Sequence, residues 1–324
     1  MKIHNFKTYL GALFATLALA GQSAVAAEVK ITPLGSQKGE FCQLDRALLF
    51  EDPDGTRVLY DPGRTVAGAD DPRLGKIDVI LVSHMHGDHV GDKHISKEGN
   101  NECGRTRFPV NVLPNTNTVN IALAKNAKIV TGSEMPKFFG NKLKALGGDP
   151  ENSQLVRFGA SRKVGGVTIT TVPAVHSNGI SGHMIGGELG DMLNAAGLTA
   201  YAGPPTGYVL TFSNGLVAYL SGDTGITAEQ ETVVREHYQA RLVVINIGDT
   251  FTTGPVEAAW VVNELIKPAS AIVSHANQPS TKGGMVIEGT RTAAFIKASK
   301  VPVHVPLSGK VMSFNAKGKC LSGC

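Results

Sequence analysis

Short apolar runs, punctuated by glycine, proline and asparagine, set the rhythm of this chain. Residues 29–33 read as a first strand. Residues 47–50 and 58–60 flank Asp52-Pro53-Asp54-Gly55, whose proline and glycine suit a tight turn, so these two runs pair as a hairpin. Residues 77–82 are β-branched and apolar apart from Asp78, the pattern of a buried strand. Residues 167–172 form another strand. Residues 208–212 and 216–221 pair around Asn214-Gly215, a strong hairpin signal. Residues 242–247 form a further buried strand, and short strands follow at 271–273, 301–305 and 311–314.

Helical periodicity fills the gaps at 116–125, 136–146 and 293–300. Thr227 with Gln230 resembles a capping box that opens a helix to about Tyr238. Gly254-Pro255 places proline at the first position of a helix running to Leu265. No Pro/Ser linker, charged run or short-period repeat divides the chain. One mixed α/β domain over residues 28–324, with sheets at its centre, fits this order better than two domains.

The first 27 residues read differently. Lys2 and Lys7 form a positive start, residues 9–20 are a short apolar run, and Ala24-Val25-Ala26 supplies small residues for cleavage. This is the pattern of a secretory signal peptide. The run is too short for a membrane anchor, which takes roughly 20 residues. No later stretch is long and apolar enough to span. The expected address is periplasmic or secreted.

Export changes how the four cysteines read, because an even number in an oxidising compartment suggests disulfides. Three pairings exist. Cys42 with Cys103 and Cys320 with Cys324 are favoured, the second because Leu321-Ser322-Gly323 closes locally. No C-x-x-C pair is present to support a four-cysteine zinc site.

Composition narrows the class further. The chain has 324 residues, 42% hydrophobic and 18% charged, which excludes intrinsic disorder. Its formal charge is +4, and removing Lys2 and Lys7 leaves +2. Without a Lys/Arg-rich run, a nucleic-acid groove is not indicated. The partner expected is a small-molecule substrate. The sequence sets no oligomeric state.

The sharpest chemical signal is His84-Met85-His86-Gly87-Asp88-His89, which follows the buried strand at 77–82. In an extended segment His84 and His86 share a side. Gly87 permits a sharp turn, after which Asp88 and His89 face back. Four such side chains cannot be buried without partners. Imidazole and carboxylate together suit zinc, iron or manganese. His176, Asp223 and His275 each follow a strand as well, the last two within Ser221-Gly222-Asp223-Thr224-Gly225 and Ser274-His275-Ala276-Asn277. Together they argue for one site at one edge of the sheets.

This set, H-x-H-x-D-H and then His, Asp and His tens of residues apart, resembles the metallo-β-lactamase superfamily over essentially the whole mature chain. Tyr60-Asp61-Pro62-Gly63, Gly207-Tyr208-Val209, Ser221 to Gly225, and Asn246-Ile247-Gly248-Asp249 with Gly254-Pro255 resemble its ascorbate-6-phosphate lactonase-like branch. The resemblance implies an αββα sandwich with two divalent ions, zinc first and manganese or iron as alternatives. It implies that His84, His86 and His176 hold one ion, that Asp88, His89 and His275 hold the other, and that Asp223 bridges them. A shared hydroxide is then the nucleophile, with Asp88 orienting it, and no Ser or Cys nucleophile is required.

The activity expected is an exported metal-dependent hydrolase acting on a small ester or lactone, an amide or a phosphodiester. A sugar-lactone phosphate suits the branch but not the address, since such phosphates are usually made inside the cell. Zinc β-lactamases commonly carry Cys where this chain has Asp223. The alternatives are an iron-dependent oxidoreductase of the same fold and a non-catalytic metal- or ligand-binding protein. The first calls for a flavin-binding partner domain or a sparser ligand set, and the second for lost ligands. Neither is seen.

Other residues receive lesser roles. His183 and Asn277 are candidate substrate contacts. Asp61 and Asp249 are candidates to buttress ligand histidines or to cap turns. His94 reads as solvent-exposed, His237 as a polar helix end and His304 as a strand position. Residues 177–205 are too long for an ordinary connection. Ile185, Leu189, Met192, Leu193 and Ala196 recur there at helical spacing. The segment is expected to be a lid over the site, hinged at Gly182 and Gly203, with a fixed surface helix as the alternative.

Overall fold

The computed structural model describes residues 1–2, 27–99, 103 and 107–324. Most of the expected signal peptide, residues 3–26, therefore lies outside the described residues.

Two mixed sheets face each other. In the first, strand Val29–Pro33 pairs antiparallel with Leu48–Glu51, which forms the expected hairpin with Arg57–Tyr60. Val79–Leu81, Lys128–Thr131 and Ser153–Leu155 then add in parallel. Met312–Phe314 and Cys320–Ser322 close its other edge. The second sheet runs from Val303–His304 through Ser270–Ser274, Leu242–Asn246, Val217–Leu220, Thr206–Thr211 and Val167–Pro173 to Ser161–Val164.

Side-chain alternation builds the layers. Along Leu48–Glu51, Leu48 and Phe50 face the second sheet while Leu49 faces the other way. Phe50, Tyr60 and Leu81 meet Ile169, Tyr208, Leu220 and Val244 in the core between the sheets. Leu49, Leu59, Ile80 and Ile129 meet Val119, Ile121, Phe139 and Leu143 from helices Asn117–Lys125 and Met135–Ala145. Val209, Tyr219 and Val243 meet Val234, Ala258, Val262 and Phe295 from the helices at Gln230–His237, Pro255–Trp260 with Val261–Ile266, and Arg291–Ala298. The result is four layers, αββα. Each large apolar side chain fully buried in these cores contributes about 1.5–3 kcal/mol. Tyr208 also spans the sandwich: its hydroxyl donates to the carbonyls of Val82 at 2.7 Å and Val130 at 3.1 Å.

The helix ends follow the sequence. Thr116 accepts the Val119 amide at 3.2 Å, and the Gln230 side chain accepts the Thr227 amide at 3.1 Å, the reciprocal half of a capping box. Among the described residues no helix is long and apolar enough to cross a membrane. Disulfides join Cys42 to Cys103 and Cys320 to Cys324.

The segment at 177–205 holds its helix, Gly187–Ala196, preceded by a turn of helix at Gly182–Ile185 and framed by a small pair of strands, Gly179–Ser181 and Thr199–Tyr201. Ile180, Met184 and Ala202 anchor it to the helical layer of the first sheet. Leu189 and Met192 point into solvent. Gly182 and Gly190 touch backbone to backbone: a methyl group on Gly190 would lie 2.4 Å from the Gly182 carbonyl oxygen. Close packing accounts for glycine at both positions.

Candidate metal centre

The candidate residues converge at one edge of the sandwich, where strands of both sheets end. Strand Val79–Leu81 delivers His84 and His86, and a short helical turn, Gly87–Val90, carries Asp88 and His89. From the second sheet, His176 follows Val167–Pro173, Asp223 follows Val217–Leu220 and His275 follows Ser270–Ser274. The donor atoms of His84, His86 and His176 lie within 4.8 Å of one another, as do those of Asp88, His89 and His275 and those of His84, His89 and Asp223. Asp223 is central. Its Oδ2 lies 2.9 Å from His275 Nε2, 3.3 Å from His89 Nε2, 3.7 Å from His176 Nε2 and 3.9 Å from His84 Nε2.

Two glycines permit this crowding. A methyl group on Gly248 would sit 2.7 Å from His275 Nδ1. Gly87 stands where the extended segment turns back. It opens the helical turn, and glycine is needed there because a side chain would meet the Asp92 carboxyl carbon at 2.5 Å. His275 itself has a φ of 51°, a conformation uncommon for a non-glycine residue and recurrent at functional sites.

Burial and mutual charge set the protonation. Burial opposes ionisation of Asp223, but His275 and His89 beside it hold its carboxyl well below the usual range. Asp88 behaves likewise: burial pushes its carboxyl up, and Arg46, His89 and His275 together bring it well below. Burial also opposes a charge on His89, yet Asp223, Asp61 and Asp88 raise its imidazole to about 10. His84 is kept neutral by burial and by the His89 charge. Burial and the neighbouring His89 and His176 lower His86 to about 4.

The donor set fits a metal. His84 Nε2 and His89 Nε2 are buried and make no hydrogen bond, although both face Asp223. Such orphaned nitrogens are costly unless something coordinates them. The nitrogen and carboxylate donors match what zinc, iron or manganese takes.

Residues the sequence did not single out complete the site. Arg46, whose side chain is 2% exposed, donates to Asp88 Oδ2 at 2.9 Å and to Asn277 Oδ1 at 2.8 Å. Asn178 accepts the Met85 amide at 2.8 Å and donates to the Gly203 carbonyl at 2.9 Å, tying the His84–His86 segment to the loop after His176. A cleft of about 400 Å³ opens over the cluster, lined in part by Arg46, Arg64, Ser177, Phe251 and Asn277. That volume suits a small molecule. Of residues 177–205, Ser177 alone lines it among the described residues. His183 lies away from the cleft, its ring 3.3 Å from the Asn194 amide.

Asp61 and Asp249 part ways. Asp61 is buried and accepts hydrogen bonds beside His89, whereas Asp249 caps its own turn through the Thr250 amide. His94 is buried rather than exposed. Its Nδ1 reaches the Ile95 carbonyl at 2.7 Å, and its ring packs against Gly68, where a methyl group would sit 3.2 Å from it.

The chain is similar to known proteins over most of its length. Residues 56–276 match the model of the beta-lactamase superfamily domain. A UPF0173 metal-dependent hydrolase of Cupriavidus taiwanensis is 31% identical over 324 residues, covering 94% of this chain and 99% of that one. Among solved structures, the metallo hydrolase Igni18 of Ignicoccus hospitalis superposes with a TM-score of 0.57 at 20% identity, covering 89% of this chain and 99% of its own. The metallo-beta-lactamase fold protein YhfI of Bacillus subtilis gives 0.55 at 14% identity, covering 89% and 100%. With the fold, the site and these relatives in agreement, this chain belongs to the beta-lactamase superfamily and, within it, to the UPF0173 metal-dependent hydrolases.

Proposed function

We propose that this protein is an exported hydrolase of a small ester or lactone, amide or phosphodiester. His84, His86 and His176 would hold one divalent ion, and Asp88, His89 and His275 a second, with Asp223 between them and zinc the first choice of metal. The observation that carries this reading is the pair of buried, unbonded imidazole nitrogens, His84 Nε2 and His89 Nε2, facing the Asp223 carboxylate. When bound, the ions would supply a water nucleophile acidified to near neutral pH and would polarise a carbonyl or phosphoryl oxygen.

The chain's own residues organise the rest. Arg46 keeps Asp88 ionised and fixes one of its oxygens, so Asp88 is the group that orients the attacking water. The water oxygen bonds to the carbonyl carbon or phosphorus, the bond to the leaving group breaks, and the water proton ends on the leaving oxygen or nitrogen. Asn277, held by Arg46 at the cleft wall, is a candidate substrate contact. Export is supported by the signal-peptide pattern of residues 1–27 and by two disulfides, which persist in oxidising compartments.

The test is a panel of esters, lactones, amides and phosphodiesters, run on metal-loaded protein with and without chelator alongside elemental analysis. Chelator-sensitive turnover of at least one class is expected. Metal-loaded protein that turns over none of them would overturn the reading.

A further inference from the structure

Three large apolar side chains stand in solvent beside the cleft: Val175, Ile226 and Phe251 are 62%, 47% and 66% exposed. Isolated exposed apolar residues are ordinary, but a contiguous set at the rim of a site marks a binding surface. Val175 directly precedes His176, Ile226 follows Asp223 by three residues, and Phe251 lies in the turn after strand Leu242–Asn246. Together they line a groove of about 380 Å³, and Phe251 lines both this groove and the cleft. The groove therefore adjoins, at Phe251, the cleft over the candidate metal centre.

Its walls are tied together. The Val175 amide donates to Thr224 Oγ1 at 2.9 Å, and the Gly225 amide returns to the Val175 carbonyl at 3.0 Å. Thr253 Oγ1 donates to the Thr224 carbonyl at 2.7 Å, which fixes the Phe251 turn to the same segment.

The charges argue for an uncharged occupant. Both arginines of the cleft are already ion-paired: Arg46 with Asp88, and Arg64 with Asp92 through Nε at 2.6 Å and a second nitrogen at 2.9 Å. In the groove, Glu257 is the charged side chain among the described residues, and it disfavours an anion. Beyond the metal centre, a phosphorylated or carboxylated arm finds no unpaired arginine or lysine among the described residues that line the cleft and the groove.

We propose that the substrate is a neutral ester, lactone or amide carrying an uncharged apolar arm of several carbons, and that Val175, Ile226 and Phe251 select for that arm. This rests on the hydrolase reading above and narrows it.

The test uses metal-loaded protein and 4-nitrophenyl esters from acetate to octanoate, together with n-alkyl hydroxamates of the same lengths, which bind metals without being hydrolysed. A fully buried methylene is worth about fourfold in affinity, and a groove open on one side about half that exponent, or roughly twofold. The expected result is that kcat/KM and hydroxamate affinity rise roughly twofold per methylene up to about six carbons. In Phe251→Ala and Ile226→Ser the slope flattens while bound metal is unchanged. An ω-carboxylate or ω-phosphate on the same chain weakens binding. A flat series in the wild type, an unaltered slope in both variants, or a preference for a charged arm, anionic or ammonium, would overturn the proposal. Hydroxamates that bind with the expected slope while no ester turns over would overturn the hydrolase reading and leave the groove assignment standing. Failure of the hydroxamates to bind at all overturns both.

Discussion

His89 Nδ1 lies 2.8 Å from Asp61 Oδ2, and the other carboxylate oxygen of Asp61 accepts the Ser83 amide at 2.8 Å. One buried carboxylate thus orients the ring of His89 and pins the backbone immediately before His84. Asp61→Asn should reduce metal affinity by about 10- to 100-fold, as loss of a carboxylate behind a ligating histidine does. Competition titration with a chromophoric chelator measures it. Unchanged affinity in a folded Asp61→Asn protein would show that the carboxylate does not orient a ligand.

Asp223 Oδ2 lies within 3.9 Å of the Nε2 atoms of His84, His89, His176 and His275, whereas His176 is grouped with His84 and His86. Elemental analysis of the purified protein should give about two metal ions per chain, as binuclear sites do. Asp223→Ala should reduce that to less than one. His176→Ala should lose about one ion and retain the one held by Asp88, His89 and His275. Equal loss in both variants would point to a site that fills only cooperatively.

Half-buried in the first sheet's outer loops, Arg73 donates to both oxygens of Asp71, to the Gly35 and Thr65 carbonyls, and to Glu98. Burial works against the Asp71 charge, but Arg73 brings its carboxyl below the ordinary 3.8. A carboxyl lowered in the folded state adds stability above its unfolded value and loses it as pH falls through the folded one. Urea unfolding should therefore show stability falling with acid from about pH 4 downward. Arg73→Met should remove part of that slope and cost about 3 kcal/mol at pH 7 by leaving Asp71 buried and unpaired. The same slope in both proteins would place the acid sensitivity elsewhere.

Thiol titration of the unreduced, denatured protein should find essentially no free thiol, since all four cysteines are paired. The two bridges differ in reach. Cys42–Cys103 spans 61 residues and Cys320–Cys324 spans 4. On chain-entropy grounds, losing the first costs about 4 kcal/mol and losing the second about 2. Paired Cys→Ser variants compared by chemical unfolding would read that order directly.

The sequence made the metal-centre candidates legible because each is a ligand-type residue just past an apolar run, and apolar runs are what place strands. Hairpins marked by Asn214-Gly215 and by Asp52 to Gly55 were legible for the same local reason. Arg46 was not: it stands two residues before a strand, as many solvated arginines do, and only the fold brings it to Asp88, 42 residues away. Phe251 and Asn178 carry no local pattern either. His94 shows the opposite error. Its neighbours Lys93, Lys97 and Glu98 are polar, but a two-residue strand turns its ring inward against Gly68. Strands Lys128–Thr131 and Ser153–Leu155 escape notice because segments of four and three residues are too short to show a period.

The candidate ligands come from both sheets: His84 to His89 from the first, and His176, Asp223 and His275 from the second. Filling the site would therefore rivet the two halves of the sandwich along an edge already joined by Tyr208, by the Thr206 amide on the Ser83 carbonyl and by Asn178 on the Met85 amide. At a free metal concentration a thousand times the dissociation constant, that rivet adds about 4 kcal/mol to folding. The lifetime of this protein would then track the metal supply of its compartment: a starved chain is not only idle but the first to be opened and cleared by proteases.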